Sequence, residues 1–192
     1  MIGYFSDGYV VNDSCCGKAL ELAKLVKIEK DIFSSFYAPI ATDIPGLKLI
    51  DFLIQNQIFF DPDLLYNQYS SPLYKEEKSE FIASLTDSVY THLDEEVLTN
   101  SISINPDLKL FYISPITFSF PFLCKTIASS IAKGAPKAKV ILDFTDTLID
   151  ESLITLFSTQ LYGIVTDEKS NCYQTIAPKK IVETLAQVHQ FL

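Results

Sequence analysis

The residues of this 192-residue chain best suited to chemistry lie in "KVILDFTDTLIDES", where Asp143, Thr145, Asp146, Thr147, Asp150, Glu151 and Ser152 follow an apolar burst. An aspartate at the carboxyl end of a buried strand stands where α/β proteins place reactive groups, and Asp143 has that position. Asp143 and Asp146 are the carboxylates that a phosphoryl-transfer or hydrolytic site would use. The competing reading is a strand, loop and helix edge. In it Asp143, Thr145 and Thr147 hydrogen-bond the loop backbone, while Asp150, Glu151 and Ser152 open the next helix and form a binding or regulatory surface.

Other catalytic arrangements find little support. The two histidines, His92 and His189, have no Gly-flanked Ser or Cys companion, which argues against a nucleophilic triad. "GKA" after Cys16 and "AKGAPKAK" contain Gly and Lys without phosphate-loop spacing, and no G-x-G-x-x-G occurs. Cys15, Cys16, Cys124 and Cys172 lack metal-ligand spacing, so the sequence predicts free thiols in a reducing compartment, no bound metal and no cofactor.

Composition sets the outer limits. Hydrophobic residues make up 48% of the chain, enough for a substantial core. The formal charge is −9 and all fifteen cationic side chains are lysines, so the bidentate arginine forks that suit phosphates and base edges are missing. A nucleic-acid partner is not supported. No run approaches the roughly 18 apolar residues that cross a bilayer, and "MIGYFSDGYVV" has neither the basic start nor the apolar core of a secretory signal. These features predict a cytoplasmic location.

The elements that position these residues follow from apolar spacing. "GYFSDGYVV" reads as a short strand or hairpin, and Asp13 or Ser14 then caps a helix through "KALELAKLVK". Asp43 caps a second helix with Pro45 in its first turn. The aromatic stretch "FFDPDLLYNQYSSPLYK" reads as a loop, followed by a third helix from about 75 to 93 on Phe81, Leu85, Val89 and Leu93. Beyond Glu96, "VLTNSISI" and "LKLFYISPITF" read as an antiparallel hairpin around "NPD". Then come a helix capped by Ser119 and stopped at Gly134, a buried strand in "KAKVILDF", a helix capped by Asp150, a strand in "LYGIVTD" and a terminal helix opened by Pro178.

Two families share parts of this pattern. "VILDFTDTL" resembles the D-x-[DT]-x-T start of haloacid-dehalogenase-type phosphatases and P-type pumps, which implies Asp143 as the nucleophile and Mg²⁺ held by further carboxylates. "LKLFYISPITFSF", a helix and "KVILDFTDTLIDES" together resemble the STAS domain of anti-sigma-factor antagonists and sulfate-transporter tails. There Ser152 matches a regulatory phosphorylation site, with Glu151 in place of the first hydroxyl residue and Leu153 in place of a glycine. A second similarity is to proteasome-assembly-chaperone domains, in which a hairpin precedes a helix and a buried strand.

The sequence therefore predicts an α/β fold with a mixed, partly parallel sheet flanked by helices over residues 97–192, preceded by a mainly helical region over 1–95. These are two domains or a single one. The expected function is a non-enzymatic protein-protein interaction module, a regulator or assembly factor with a protein partner and room for an oligomer. The alternatives are a phosphoryl-transfer or hydrolytic enzyme using Asp143 and Asp146 with Mg²⁺, and a small-molecule-binding domain.

Overall fold

A computed structural model describes residues 1–5, 9–11, 14–77, 80–84, 88–145, 148–166 and 173–191. Its centre is a seven-stranded sheet built from β1 (Ile2–Phe5), β4 (Ser34–Phe36), β6 (Phe59–Phe60), β10 (Leu110–Ile113), β11 (Lys139–Asp143), β12 (Leu161–Val165) and β13 (Thr175–Ile176). The order is β13-β12-β11-β10-β1-β4-β6, and every pairing is parallel. The α/β class with a parallel sheet flanked by helices thus holds. The sheet also takes β1, β4 and β6 from the first 60 residues, joined to the rest where β1 pairs with β10.

Continuous burial explains the strands. "LFYI" of β10 is buried at every position, as is "VILD" of β11, because a parallel sheet is covered on both faces. Tyr4, Phe36, Tyr37, Phe111, Tyr112 and Phe144 are its largest buried side chains. Among the described residues six α-helices complete the architecture: α1 (Lys18–Lys30), α2 (Ile44–Gln55), α3 (Glu95–Ser103), α4 (Pro121–Gly134), α5 (Glu151–Leu156) and α6 (Ile181–Phe191). α1 packs against α6, β1 and β4, whereas α3, α4 and α5 form a second packed group.

Three small strand pairs lie outside the main sheet. β2 (Tyr9–Val11) and β3 (Ser14–Cys16) form one antiparallel hairpin, and β8 (Leu73–Glu77) and β9 (Glu80–Ser84) form another. β5 (Ile40–Ala41) and β7 (Leu65–Tyr66) pair in parallel.

Several expectations are corrected. In place of the third helix over 75–93, the described residues form the β8–β9 hairpin and a 3₁₀ turn at Val89–His92, while 78–79 and 85–87, Leu85 among them, lie outside the described residues. Side chains four apart share a face in a strand as well as in a helix, so the spacing of Phe81, Leu85, Val89 and Leu93 does not distinguish the two. "VLTNSISI" is helical, not a strand of an antiparallel hairpin. Asp94 accepts hydrogen bonds from the amides of Glu96 and Val97 at 2.7 and 3.0 Å, which caps α3, and Leu98 and Ile102 bury one of its faces. Ser14 belongs to β3, so α1 starts later, behind Gly17; Asp13 lies outside the described residues. α4 is preceded by Phe120 rather than capped by Ser119.

Candidate active site

Strands leave the centre in both directions from β1: β4 and β6 on one side, then β10 to β13 on the other. The order reverses between β1 and β10. In open α/β sheets a crevice forms at this switch, outside the carboxyl ends of the strands, and ligands bind there.

Asp143 ends β11 at that edge and is fully buried. Lys18 Nζ lies 2.8 Å from its Oδ2, and the Tyr112 hydroxyl, on neighbouring β10, donates to the same oxygen. The Thr145 amide donates to Oδ1 at 2.8 Å. A charge removed from water is tolerated when it is paired and hydrogen-bonded, and Asp143 meets both conditions. Tyr112 stands in register with Tyr4 across the switch, their ring centroids 6.0 Å apart. Burial pushes the Tyr4 phenol above its ordinary pKa, with Ser34 opposing the shift, so this hydroxyl stays protonated.

Lys18 is the first residue of α1, behind Gly17 at φ 134°, a conformation that side-chain-bearing residues rarely adopt. About a third of the lysine side chain remains exposed (33%). Its ammonium is thereby anchored to the sheet through Asp143. The β2–β3 hairpin leads directly into Gly17, and β8 lies against β2. Both hairpins thus stand beside the carboxyl edge, with α2 packed under β2 and β3.

The other site residues separate from this cluster. Asp150 caps α5, accepting from the Ser152 amide at 2.8 Å and its hydroxyl at 2.7 Å, which holds the carboxyl below its usual range. Glu151 and Ser152 are exposed in the first turn of α5, where the Ser152 hydroxyl bonds the capping Asp150. Asp146 lies outside the described residues. Among the described residues no three His, Cys, Asp or Glu side chains converge on a point that could hold a metal ion. Asp143 is engaged by Lys18, Tyr112 and Thr145 in this ligand-free chain.

Sequence reasoning missed Lys18 and Tyr112. Lys18 was visible in "GKA", but the phosphate-loop spacing it was compared with is not what positions it. Only the parallel order of β1, β10 and β11 brings residues 18, 112 and 143 together.

No protein family matches the sequence, and no curated protein does either. The fold, however, is shared with solved kinases. Fructokinase with bound ATP from Xylella fastidiosa superposes with a TM-score of 0.60 at 10% identity, over 85% of this chain and 60% of that one. A putative ribokinase II from E. coli, in complex with ATP and Mg²⁺, gives 0.59 at 10% identity, over 98% of this chain and 69% of that one. The tetrameric inhibited form of phosphofructokinase-2 from Escherichia coli gives 0.51 at 10% identity. The chain spans about 60% of the length of the fructokinase structures it matches.

These likenesses correct the expectation of a STAS-like domain. The fold is shared with sugar kinases, and the hairpin of the assembly-chaperone similarity is replaced by helix α3 and parallel strand β10. The reading as a non-enzymatic interaction module, regulator or assembly factor rests on the missing catalytic constellations and on those resemblances, and the likeness to kinase folds overturns it.

Proposed function

We propose that this chain forms the acceptor-binding part of a small-molecule kinase, one that transfers a phosphoryl group to a hydroxyl of a sugar or similar polyol. The observation that carries this reading is the Lys18–Asp143–Tyr112 cluster at the switch point of the parallel sheet, beside two hairpins. The kinase folds that superpose on the chain, the fructokinase with bound ATP and the ribokinase II with ATP and Mg²⁺ among them, support it.

In this reading the acceptor lies at the carboxyl edge between β1 and β10. Its hydroxyl oxygen forms the new bond to phosphorus, the bond to the leaving ADP breaks, and the hydroxyl proton is released. The chain contributes position and charge, which dominate phosphoryl transfer. Tyr112 and Thr145 fix the Asp143 carboxylate, Asp143 fixes the Lys18 ammonium, and Lys18 presents a cation to the oxygens that gain negative charge. A Mg²⁺ bound with the nucleotide would supply neutralising charge at the phosphates, where one or two carboxylates suffice to hold it. The free thiols of Cys15, Cys16 and Cys124 accord with a cytoplasmic setting.

The test is ADP production from Mg·ATP with D-fructose, D-ribose and fructose 6-phosphate, alongside thermal shifts with each sugar. Sugar-dependent ADP release that falls at least tenfold in Lys18→Met supports the kinase. Sugar binding without ADP release supports a ligand-binding domain instead. No response to any sugar contradicts both.

A further inference from the structure

One carboxylate outside the cluster joins two elements that the catalytic reading does not connect. Asp43 caps α2 by accepting the Gly46 amide at 3.0 Å. The same side chain accepts from the Ser71 amide at 2.7 Å and the Ser71 hydroxyl at 2.6 Å, 28 residues further along. Ser71 lies two residues before β8. Donation from three groups holds the Asp43 carboxyl below its usual range in spite of partial burial, so these bonds are made to a charged acceptor.

The root of the β8–β9 hairpin is held at further points nearby. Ser70 bridges to Ser88, and the Val89 amide donates to the Ser70 carbonyl at 3.0 Å, which closes the two ends of the hairpin on each other. Tyr69 stacks on His92 with ring centroids 3.6 Å apart and planes 6° from parallel. These contacts close the root on itself. Asp43 ties the root to the start of α2, which packs against β2 and β3.

We infer that Asp43 is a positioning residue: through Ser71 it sets where the β8–β9 hairpin stands against β2, and so beside the carboxyl edge. The hairpin contributes no strand to the main sheet, and its root and its contact with β2 help to orient it. A single short side chain that caps α2 and also bonds the hairpin root couples the two without any covalent link. The consequence for acceptor binding rests on the kinase reading; the coupling itself does not.

Hydrogen-deuterium exchange of the ligand-free chain tests the coupling. Ser71→Ala removes the hydroxyl bond and leaves the cap of α2 intact, so amides of 73–77 and 80–84 should exchange roughly tenfold faster while those of 48–55 stay protected. Ser71→Thr should restore protection. Asp43→Ala should release both the hairpin and the start of α2. Hairpin exchange unchanged in both Ser71→Ala and Asp43→Ala overturns the inference. A separate titration with D-fructose should show weaker binding in Ser71→Ala and recovery in Ser71→Thr. Equal affinity in Ser71→Ala and the unaltered chain overturns the link to the acceptor, whereas absence of binding in the unaltered chain counts against the kinase reading alone.

Discussion

Lys18 Nζ stands 2.8 Å from Asp143 Oδ2, joining the first residue of α1 to the last residue of β11. The lysine side chain is 33% exposed and the aspartate 0%. This asymmetry decides what each substitution costs. Removing the lysine leaves a charge stranded in the core, whereas removing the aspartate leaves one that can turn to water.

Lys18→Met should therefore destabilise the chain by about 3 kcal/mol or more, and Asp143→Asn by somewhat less, about 2–3 kcal/mol. Urea unfolding measures both. The double variant should cost less than the sum of the two, because it removes both charges together. Strict additivity would show that the pair is not coupled.

The position of Lys18 depends on the backbone before it. Gly17 has φ 134°, so Gly17→Ala should cost about 1–3 kcal/mol in backbone strain. Its effect on any sugar affinity should resemble that of Lys18→Met, because the start of α1 moves. A second glycine is required for space: a Cβ on Gly46 would lie 1.8 Å from the Ala41 carbonyl oxygen. Gly46→Ala should therefore lower Tm sharply, as calorimetry would show.

Acid should weaken the anchor at Asp43. Its folded pKa is held below the ordinary carboxylate value of about 4, so its contribution is fully present above that value and is lost as pH falls through the folded pKa. The stability difference between the unaltered chain and Asp43→Asn should thus be constant at neutral pH and shrink below about pH 4. A difference independent of pH down to the acid transition would contradict this.

Alkali should expose Cys124. Burial pushes its thiol up to about 12. A raised thiol pKa contributes stability below the unfolded value of about 8.5, and that contribution declines as pH rises towards the folded value. In the native chain at pH 8, Cys124 should resist a disulfide reagent that labels it in urea, whereas half-buried Cys15 and Cys16 offer accessible sulfur. Fast native labelling of Cys124, identified by mass spectrometry, would contradict its placement.

The parts of the fold that the sequence discloses are those with local causes. α2 follows from Asp43 and Pro45, α5 from Asp150, and β11 from an apolar run between charges. What stays hidden has distant causes or ambiguous spacing. β4 and β6 are only three and two residues long and are defined by their neighbours in the sheet. The stretch from Phe81 to Leu93 has a four-residue apolar spacing in sequence that strand and helix share, so it does not disclose β9. Asp143 was legible as a strand-end carboxylate, but its partners come from positions 18 and 112, so its buried and fully engaged state was not.

The central claim is that a sugar binds at the carboxyl edge next to Lys18. Amide chemical-shift mapping during titration with D-fructose tests it most directly. The expected result is a saturable set of shifts at Gly17, Lys18, Ser114 and Thr145, absent at Lys109 and Ala138 on the opposite edge, and strongly weakened in Lys18→Met. Shifts confined to the opposite edge, or unchanged in Lys18→Met, would contradict it.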